Sequence, residues 1–401
     1  MEKKDNRKFM LGLLAGLLLA SLLGVFLPQF GVRVFSSSSL ADDIYNRAKV
    51  VESYVDRYYW KEDVSDQTIS EYAAKGMVAA LGDKYSVYYT SDELKESLEG
   101  VEGDYEGIGA TIMVDQKTGE KSIVEVQKGT PAEKAGLKAK DVILKVGEEE
   151  VAERSLTDVV KLIKGEEGKK SVLTVSRLED GKKVIKSITV VSEKIVNQTV
   201  SHKMLKGKVG YICVTSFNKE TVNQYGKAID DLDKKGQKGL VVDLRNNGGG
   251  SLVASIDMLN RMLPKGNLIT EKNKVNGDKR YTSTDGQHFD KPVIVLINEG
   301  SASASEVFAG TLQDRGAATL VGVKSFGKGI IQTIFSLEKS CGGGIKLTTG
   351  EYLLPSGRSI HEKGLTPDVE SKYTGTSKEL GAEDDNQLKK AMEVMETKLE
   401  Q

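Results

Sequence analysis

Three patterns in the sequence predict a mixed α/β protein: a layered α/β core, a strand-rich module set inside the chain, and a helical region led by an N-terminal transmembrane helix. After residue 200, β-branched runs alternate with amphipathic stretches, the order of a largely parallel sheet covered by helices. Between 100 and 190 the pattern is instead short alternating strands separated by glycine turns. Ahead of both stands an uncharged, almost wholly apolar stretch, Phe9–Leu27.

At 1.5 Å per residue that stretch covers roughly 28 Å, close to the thickness of bilayer hydrocarbon. Lys3, Lys4, Arg7 and Lys8 precede it. A cleaved signal has a shorter apolar run, about 7–15 residues, and an Ala-x-Ala site. Here the nearest small residues, Ser36–Ser39, make a weak one, so residues 1–40 read as a cytoplasmic basic tip, an uncleaved anchor and a linker, with a cleaved signal as the alternative. Positive charge before the span places the body on the extracytoplasmic side of the cell membrane. Gly12, Gly16, Ala20 and Gly24 share one helix face and permit a homodimer of spans, although small residues are frequent in spans on other grounds.

Residues 41–99 read as helical, with Ile44, Ala48, Val51 and Val55, then Ile69, Ala73, Met77 and Leu81, at helical spacing. Gly82-Asp83-Lys84-Tyr85-Ser86 ends the second of these helices, and Tyr58, Tyr59 and Trp60 are expected to pack in a core. Over 100–190 the strands are 109–114, 122–126, 142–146, 171–177 and 186–191, with one helix near 157–164. Arg177, alone in the last two of these strands, is a candidate contact to the core. Residues 191–372 give strands at 209–215, 239–244, 292–297 and 318–321, helices at 221–234, 252–262 and 303–314, then short strands at 331–337 and 345–354. Residues 373–401 are a linker and an amphipathic C-terminal helix.

About 370 residues beyond the anchor suffice for two or three domains. The net charge is −1 and no basic tract follows the N-terminus, which argues against nucleic acid as a partner. Cys213 lies in an apolar strand and Cys341 in a glycine-rich segment, so free thiols are expected, and neither has metal-ligand spacing to a histidine. No metal and no cofactor is expected.

The chemistry concentrates at 291–332. The buried run Pro292–Ile297 leads through Asn298-Glu299-Gly300 into Ser301-Ala302-Ser303-Ala304-Ser305-Glu306, which opens a helix. A serine at a helix mouth sits where backbone N–H groups and the macrodipole stabilise developing negative charge, as acyl transfer requires. Serines there are also ordinary N-caps. The hydroxyl needs a base, and none of His202, His288 and His361 stands at a strand end. Lys328, between Gly327 and Gly329 and followed by apolar residues, is the better candidate. Only a neutral amine accepts a proton, so its pKa must fall from about 10.4 toward roughly 7–8, which apolar burial favours. Gln332 can orient that amine without adding charge. A second strand, 239–244, runs into the turn Arg245-Asn246-Asn247-Gly248-Gly249-Gly250, which exposes backbone N–H groups. It is alternatively a plain strand-to-helix turn, or a phosphate cradle lacking the following Gly-Lys-Ser/Thr. Asp243 and Arg245 read as a structural ion pair.

These residues together resemble the carboxyl-terminal processing peptidases, or tail-specific proteases. The match is Ala-Ser-Ala-Ser-Glu, a lysine twenty-five residues after the first serine of that motif, a glutamine four further on, and Asp-Leu-Arg-Asn-x-Gly-Gly. The resemblance implies Ser303 as nucleophile, Lys328 as general base, Gln332 as its orienter, and Gly248 or Gly249 with the N–H of Ala304 as oxyanion donors, on a crotonase-like core. The strand-rich module is similar to a PDZ domain, with Gly107-Ile108-Gly109-Ala110 as carboxylate-binding loop and Thr130–Leu137 as its internal turn. Successive N–H groups in such a loop cradle a terminal carboxylate while the strand edge accepts the peptide. The expectation is a membrane-anchored serine endopeptidase acting on proteins with a free C-terminus. A catalytically inactive PDZ scaffold and a crotonase-type thioester enzyme are the alternatives.

Overall fold

The computed structural model describes residues 39–61, 64–284, 288–337, 342–376, 380–382 and 384–401. The expected anchor at 9–27, its glycine stripe and Cys341 lie outside them. Among the described residues no helix is long and apolar enough to cross a membrane.

Helix Leu40–Tyr58 opens on a capping box in which Ser39 and Asp42 exchange side-chain and backbone bonds. It buries none of its residues. Tyr58, Tyr59 and Trp60 are exposed rather than packed in a core. Two of them have local partners: Tyr54 stacks on Tyr58, and Arg57 and Lys61 lie over Tyr58 and Trp60. Helix Asp66–Ala79 follows.

The core is a six-stranded sheet in the spatial order Val200–Leu205, Val209–Val214, Gly239–Asp243, Val293–Ile297, Thr319–Gly322, Val369–Glu370. All neighbours are parallel except the first pair. Alternation along the strands sends Ile212, Val242, Val295 and Leu320 to one face, against helices Lys219–Lys234, Leu252–Met262 and Ala304–Asp314. It sends Tyr211, Val241, Ile294 and Val321 to the other, where helix Asn386–Leu399 packs Leu388, Ala391 and Met395. The C-terminal helix is therefore the second layer of the sheet. Cys213, on this sheet, is free, its thiol pushed up to about 11 by burial and by the nearby Asp243.

A second, antiparallel sheet was not expected as such. Strand Gly344–Leu353 carries Ile330–Ser336 on one edge, and Val87–Tyr89 with the hairpin Gly266–Asn273/Gly277–Ser283 on the other. The hairpin sequence is largely polar, so it lacked the apolar alternation that marks a strand.

The PDZ-like module enters and leaves through a two-stranded stem, Asp104–Gly107 paired with Glu193–Val196. Its sheet runs in the order Ala110–Val114, Lys121–Val126, Val142–Val146, Lys170–Glu179, Lys182–Val191 around Ile123, Leu173, Val175 and Val159. Among the described residues, Arg177 keeps all its hydrogen bonds and ion pairs within its own module. It is buried, donates to both Asp141 oxygens at 2.7 Å and to the Gly136 carbonyl, and so fixes the internal turn of its own module.

Arg245 ties the layers of the core together. Its guanidinium, with no exposed side-chain surface, donates to Asp243, to Asp385 and to Gln387. The expected Asp243–Arg245 pair is thus one half of a triad closed by the C-terminal segment. Burial pushes the Asp385 carboxyl up, but Arg245 and the amides of Leu388 and Gly381 pull it further down, to a net value below the ordinary range. Its stabilising contribution is full above the unfolded-state pKa and is lost as pH falls through the folded one. Asp385→Ala is expected to cost about 3–5 kcal/mol, since a buried cation loses a partner, and urea unfolding at pH 7 measures it.

Candidate active site

The strand Val293–Ile297 is buried along its whole length and delivers the segment 298–303 to the edge of the core. Three serines compete there for the nucleophilic role, and their hydrogen bonds separate them. Ser301 is buried, donates its hydroxyl to the Leu244 carbonyl at 2.7 Å and accepts from the Asn298 N–H. Ser305 is buried and donates to the Asn247 carbonyl at 2.8 Å. Both are spent on clamping the serine segment to the glycine-rich turn. Ser303 is partly exposed and caps helix Ala304–Asp314 with φ 56° and ψ −117°, a conformation a non-glycine residue rarely adopts.

Glu306, in the first turn of that helix, holds the strained residue in place. Its carboxylate is fully buried and accepts four hydrogen bonds. One oxygen takes the N–H groups of Ser303 (2.9 Å) and Lys328 (2.8 Å), and the other takes the Gly327 N–H (2.8 Å) and the Ser325 hydroxyl (2.6 Å). The Tyr352 hydroxyl lies between the carbonyl oxygens of Ser303 (3.2 Å) and Lys328 and donates to them. The two residues twenty-five positions apart thus meet through shared ligands of their backbones. Neither Glu306 nor Tyr352 was singled out from the sequence. A glutamate three residues after a serine at a helix start is a capping-box signal that could have marked Glu306.

Gly327 and Gly329 serve close approach. A Cβ on Gly327 (φ +93°) would lie 2.9 Å from the Gly364 nitrogen, and one on Gly329 would lie 2.6 Å from the His361 nitrogen. The 360–364 loop can therefore press against the lysine segment and help bury it. The Lys328 side chain is half-buried, with Nζ 4.8 Å from the centre of the Tyr85 ring. Burial pushes its pKa below the ordinary lysine value, Lys346 pushes the same way, and Asp83 opposes them. Gln332, the orienter expected from spacing, donates its Nε2 to the Thr348 hydroxyl at 3.3 Å.

The turn at 246–250 lies directly against the serine. A Cβ on Gly249 (φ +100°) would come within 2.6 Å of the Ala302 carbonyl, 2.9 Å of the Ala304 nitrogen and 2.9 Å of the Ser303 Cβ, so only glycine fits. The Gly249 N–H donates to Asn247 Oδ1 at 2.9 Å, so a substrate oxygen reaching it must share that donor. Gly248 faces open space. In the PDZ-like module, Gly109 (φ +78°) lies against Thr130, whose hydroxyl donates to the Gln127 carbonyl, and the Ala132 N–H donates to the Ile108 carbonyl. The loop 107–110 and the turn 130–137 are therefore one unit.

Glu306→Gln replaces two accepting lone-pair sites with an amide that faces N–H groups. It is expected to cost about 2–3 kcal/mol of stability and, by loosening both backbones, about a hundredfold in any activity of Ser303, read by thermal unfolding and by serine-probe labelling rate.

Residues 208–371, which contain the glycine turn, Ser303, Lys328 and Gln332, match peptidase family S41, and residues 122–177 match the PDZ domain. The chain is 36% identical over 344 residues to the carboxy-terminal processing protease CtpA of Bacillus subtilis (strain 168), covering 85% of this chain and 72% of the relative. It is 38% identical over 327 residues to a CtpA-like serine protease of Staphylococcus aureus (strain COL), covering 81% of this chain and 64% of that relative. A solved structure described as an S41 protease, from Bacteroides fragilis NCTC 9343, shares the fold with a TM-score of 0.52 at 19% identity, over 84% of this chain and 91% of the other. The chain belongs to peptidase family S41 and, by its relatives and its PDZ domain, to the carboxy-terminal processing proteases within it.

Proposed function

We propose that this protein is a membrane-anchored serine endopeptidase that holds the C-terminal tail of an extracytoplasmic protein on its PDZ domain and cleaves the chain through an acyl-enzyme at Ser303. The observation that carries the reading is the single Glu306 oxygen that binds the backbones of Ser303 and Lys328 together. In the first step the neutral Lys328 amine takes the hydroxyl proton as Ser303 Oγ attacks the scissile carbonyl carbon. N–H groups of Gly248 or Gly249 and of Ala304 receive the oxyanion. The Lys328 ammonium then protonates the leaving amine, leaving an ester on Ser303. Water, deprotonated by the same amine, hydrolyses that ester and regenerates the serine. Gln332 orients the amine through its amide oxygen. The name of the Bacillus relative, a carboxy-terminal processing protease, supports the choice of substrate end.

Phe9–Leu27 is the anchor in this reading, with the basic tip in the cytoplasm, and the stripe of Gly12, Gly16, Ala20 and Gly24 is the face on which two anchors would pair. Deleting residues 1–30 is expected to move the protein from carbonate-washed membranes to the soluble fraction. Retention of the truncated chain on membranes would contradict the anchor.

Ser303→Ala and Lys328→Ala are each expected to abolish fluorophosphonate labelling and proteolysis while the thermal unfolding temperature stays within a few degrees. Cells carrying Ser303→Ala should accumulate extracytoplasmic proteins with unprocessed C-termini, detected by terminal proteomics. Wild-type protein that binds C-terminal peptides but never labels would instead favour the scaffold. Because the amine acts as a base, activity should rise with pH through the lowered Lys328 pKa, with an acid limb below the ordinary lysine range.

A further inference from the structure

Strand Val87–Tyr89 pairs with the Gly344–Lys346 end of the central strand of the second sheet. That pairing brings the turn 82–86 over the segment that carries Lys328 and Gln332. The Thr348 N–H donates to Ser86 Oγ at 3.1 Å, and Asp83 accepts from the Tyr85 N–H (3.0 Å), the Ser86 hydroxyl (2.6 Å) and the Thr348 hydroxyl (2.6 Å). The first two of the Asp83 contacts would complete an ordinary turn. The third reaches across 265 positions to another element.

That third bond has a direction. An ionised carboxylate only accepts, so the Thr348 hydroxyl must spend its one proton on Asp83. A hydroxyl-to-carboxylate bond of 2.6 Å is charge-assisted and roughly twice as strong as a neutral one, so it outweighs the 3.3 Å contact from Gln332. Thr348 can therefore offer Gln332 only a lone pair. Gln332, directly opposite Thr348 in the strand register, must present its NH2 there and keep its carbonyl oxygen for another partner.

We propose that Asp83 is a positioning residue of the hydrolytic site: by making Thr348 a donor it fixes the amide of Gln332 so that the amide oxygen meets the Lys328 amine. The assignment rests on the Ser303–Lys328 reading given above. It places a carboxylate near the base without contacting it, one hydroxyl and one amide away, where its charge cannot lock the amine as an ammonium. Donation from Ser86 and Thr348 holds the Asp83 carboxyl below its usual range, so the polarity of the relay does not switch in the working pH range. The charged and titratable groups near Lys328 include Asp83, Lys84 and Tyr85 on the turn, Lys346 and Tyr352 on the central strand, His361 on the loop packed against Gly329, and Glu306 beneath the backbone. Removing the Asp83 charge should therefore lower the pKa of Lys328, and removing that of Lys346 should raise it.

The test is the pH dependence of fluorophosphonate labelling of Ser303 in the full-length protein, compared among wild type, Asp83→Asn, Thr348→Val and Thr348→Ser. Asparagine can donate to Thr348 and reverse the relay, and valine removes it. Both should label about tenfold or more slowly, Thr348→Ser should remain near wild type, and the acid limb of Asp83→Asn should move to lower pH. Thr348→Ser as slow as Thr348→Val, or Asp83→Asn labelling at the wild-type rate, overturns the proposal, since the hydrogen-bond direction at Thr348 would then not position Gln332. Should Asp83→Asn fail to fold, the Thr348 pair decides alone. Labelling that persists in Ser303→Ala would instead remove the underlying reading, which separates the two failures.

Discussion

A single buried carboxylate organises this site. Glu306 accepts the Ser303 N–H on the serine side and, from the lysine segment, the N–H groups of Gly327 and Lys328 and the Ser325 hydroxyl. A buried anion is costly unless it is fully satisfied, and four donors satisfy it. The same bonds hold Ser303 at a positive φ that a serine would otherwise leave. Strain at Ser303 and the placement of the Lys328 backbone thus have one cause, and the Tyr352 hydroxyl reinforces both through their carbonyls.

Around that centre the fold draws its functional groups from two sheets. The parallel sheet supplies Ser303 and the glycine turn, locked to each other by Ser301 and Ser305. The antiparallel sheet supplies Lys328, Gln332 and Thr348, and takes in Val87–Tyr89 from far upstream. The PDZ domain stands on a two-strand stem beside helix Ser91–Glu102, and its own helix Leu156–Ile163 region is joined to that helix by the ion pairs Lys161–Asp92 and Lys164–Glu99. Helix Leu156–Ile163 is therefore tied to an element that follows directly on the Val87–Tyr89 strand and the turn over Lys328.

The parts legible in the sequence were those with local signatures. Buried β-branched runs, helix starts and the spacing of Ser303, Lys328 and Gln332 are visible within short windows, and helix Leu252–Met262 has the bounds that its periodicity predicts. What was not legible depends on distant, ordinary residues. Asp83 and Thr348 meet across most of the chain, Asp385 closes a triad with Arg245 from beyond an irregular segment, and nothing in a lone threonine or aspartate announces either partner. The tyrosines and tryptophan at 58–60 misled for the opposite reason, since aromatic clusters usually mark a core and these are exposed.

The account stands on an uncharged lysine beside the serine, and the most direct measurement is the titration of Lys328 itself. Selective isotope labelling with NMR of the lysine ε-methylene, assigned by its absence in Lys328→Arg, would follow it from pH 5 to 12. A midpoint clearly below the ordinary lysine value of about 10.4 is the predicted result. A midpoint at or above that value would mean a water-exposed or ion-paired ammonium, unable to take a proton from Ser303, and would contradict the mechanism.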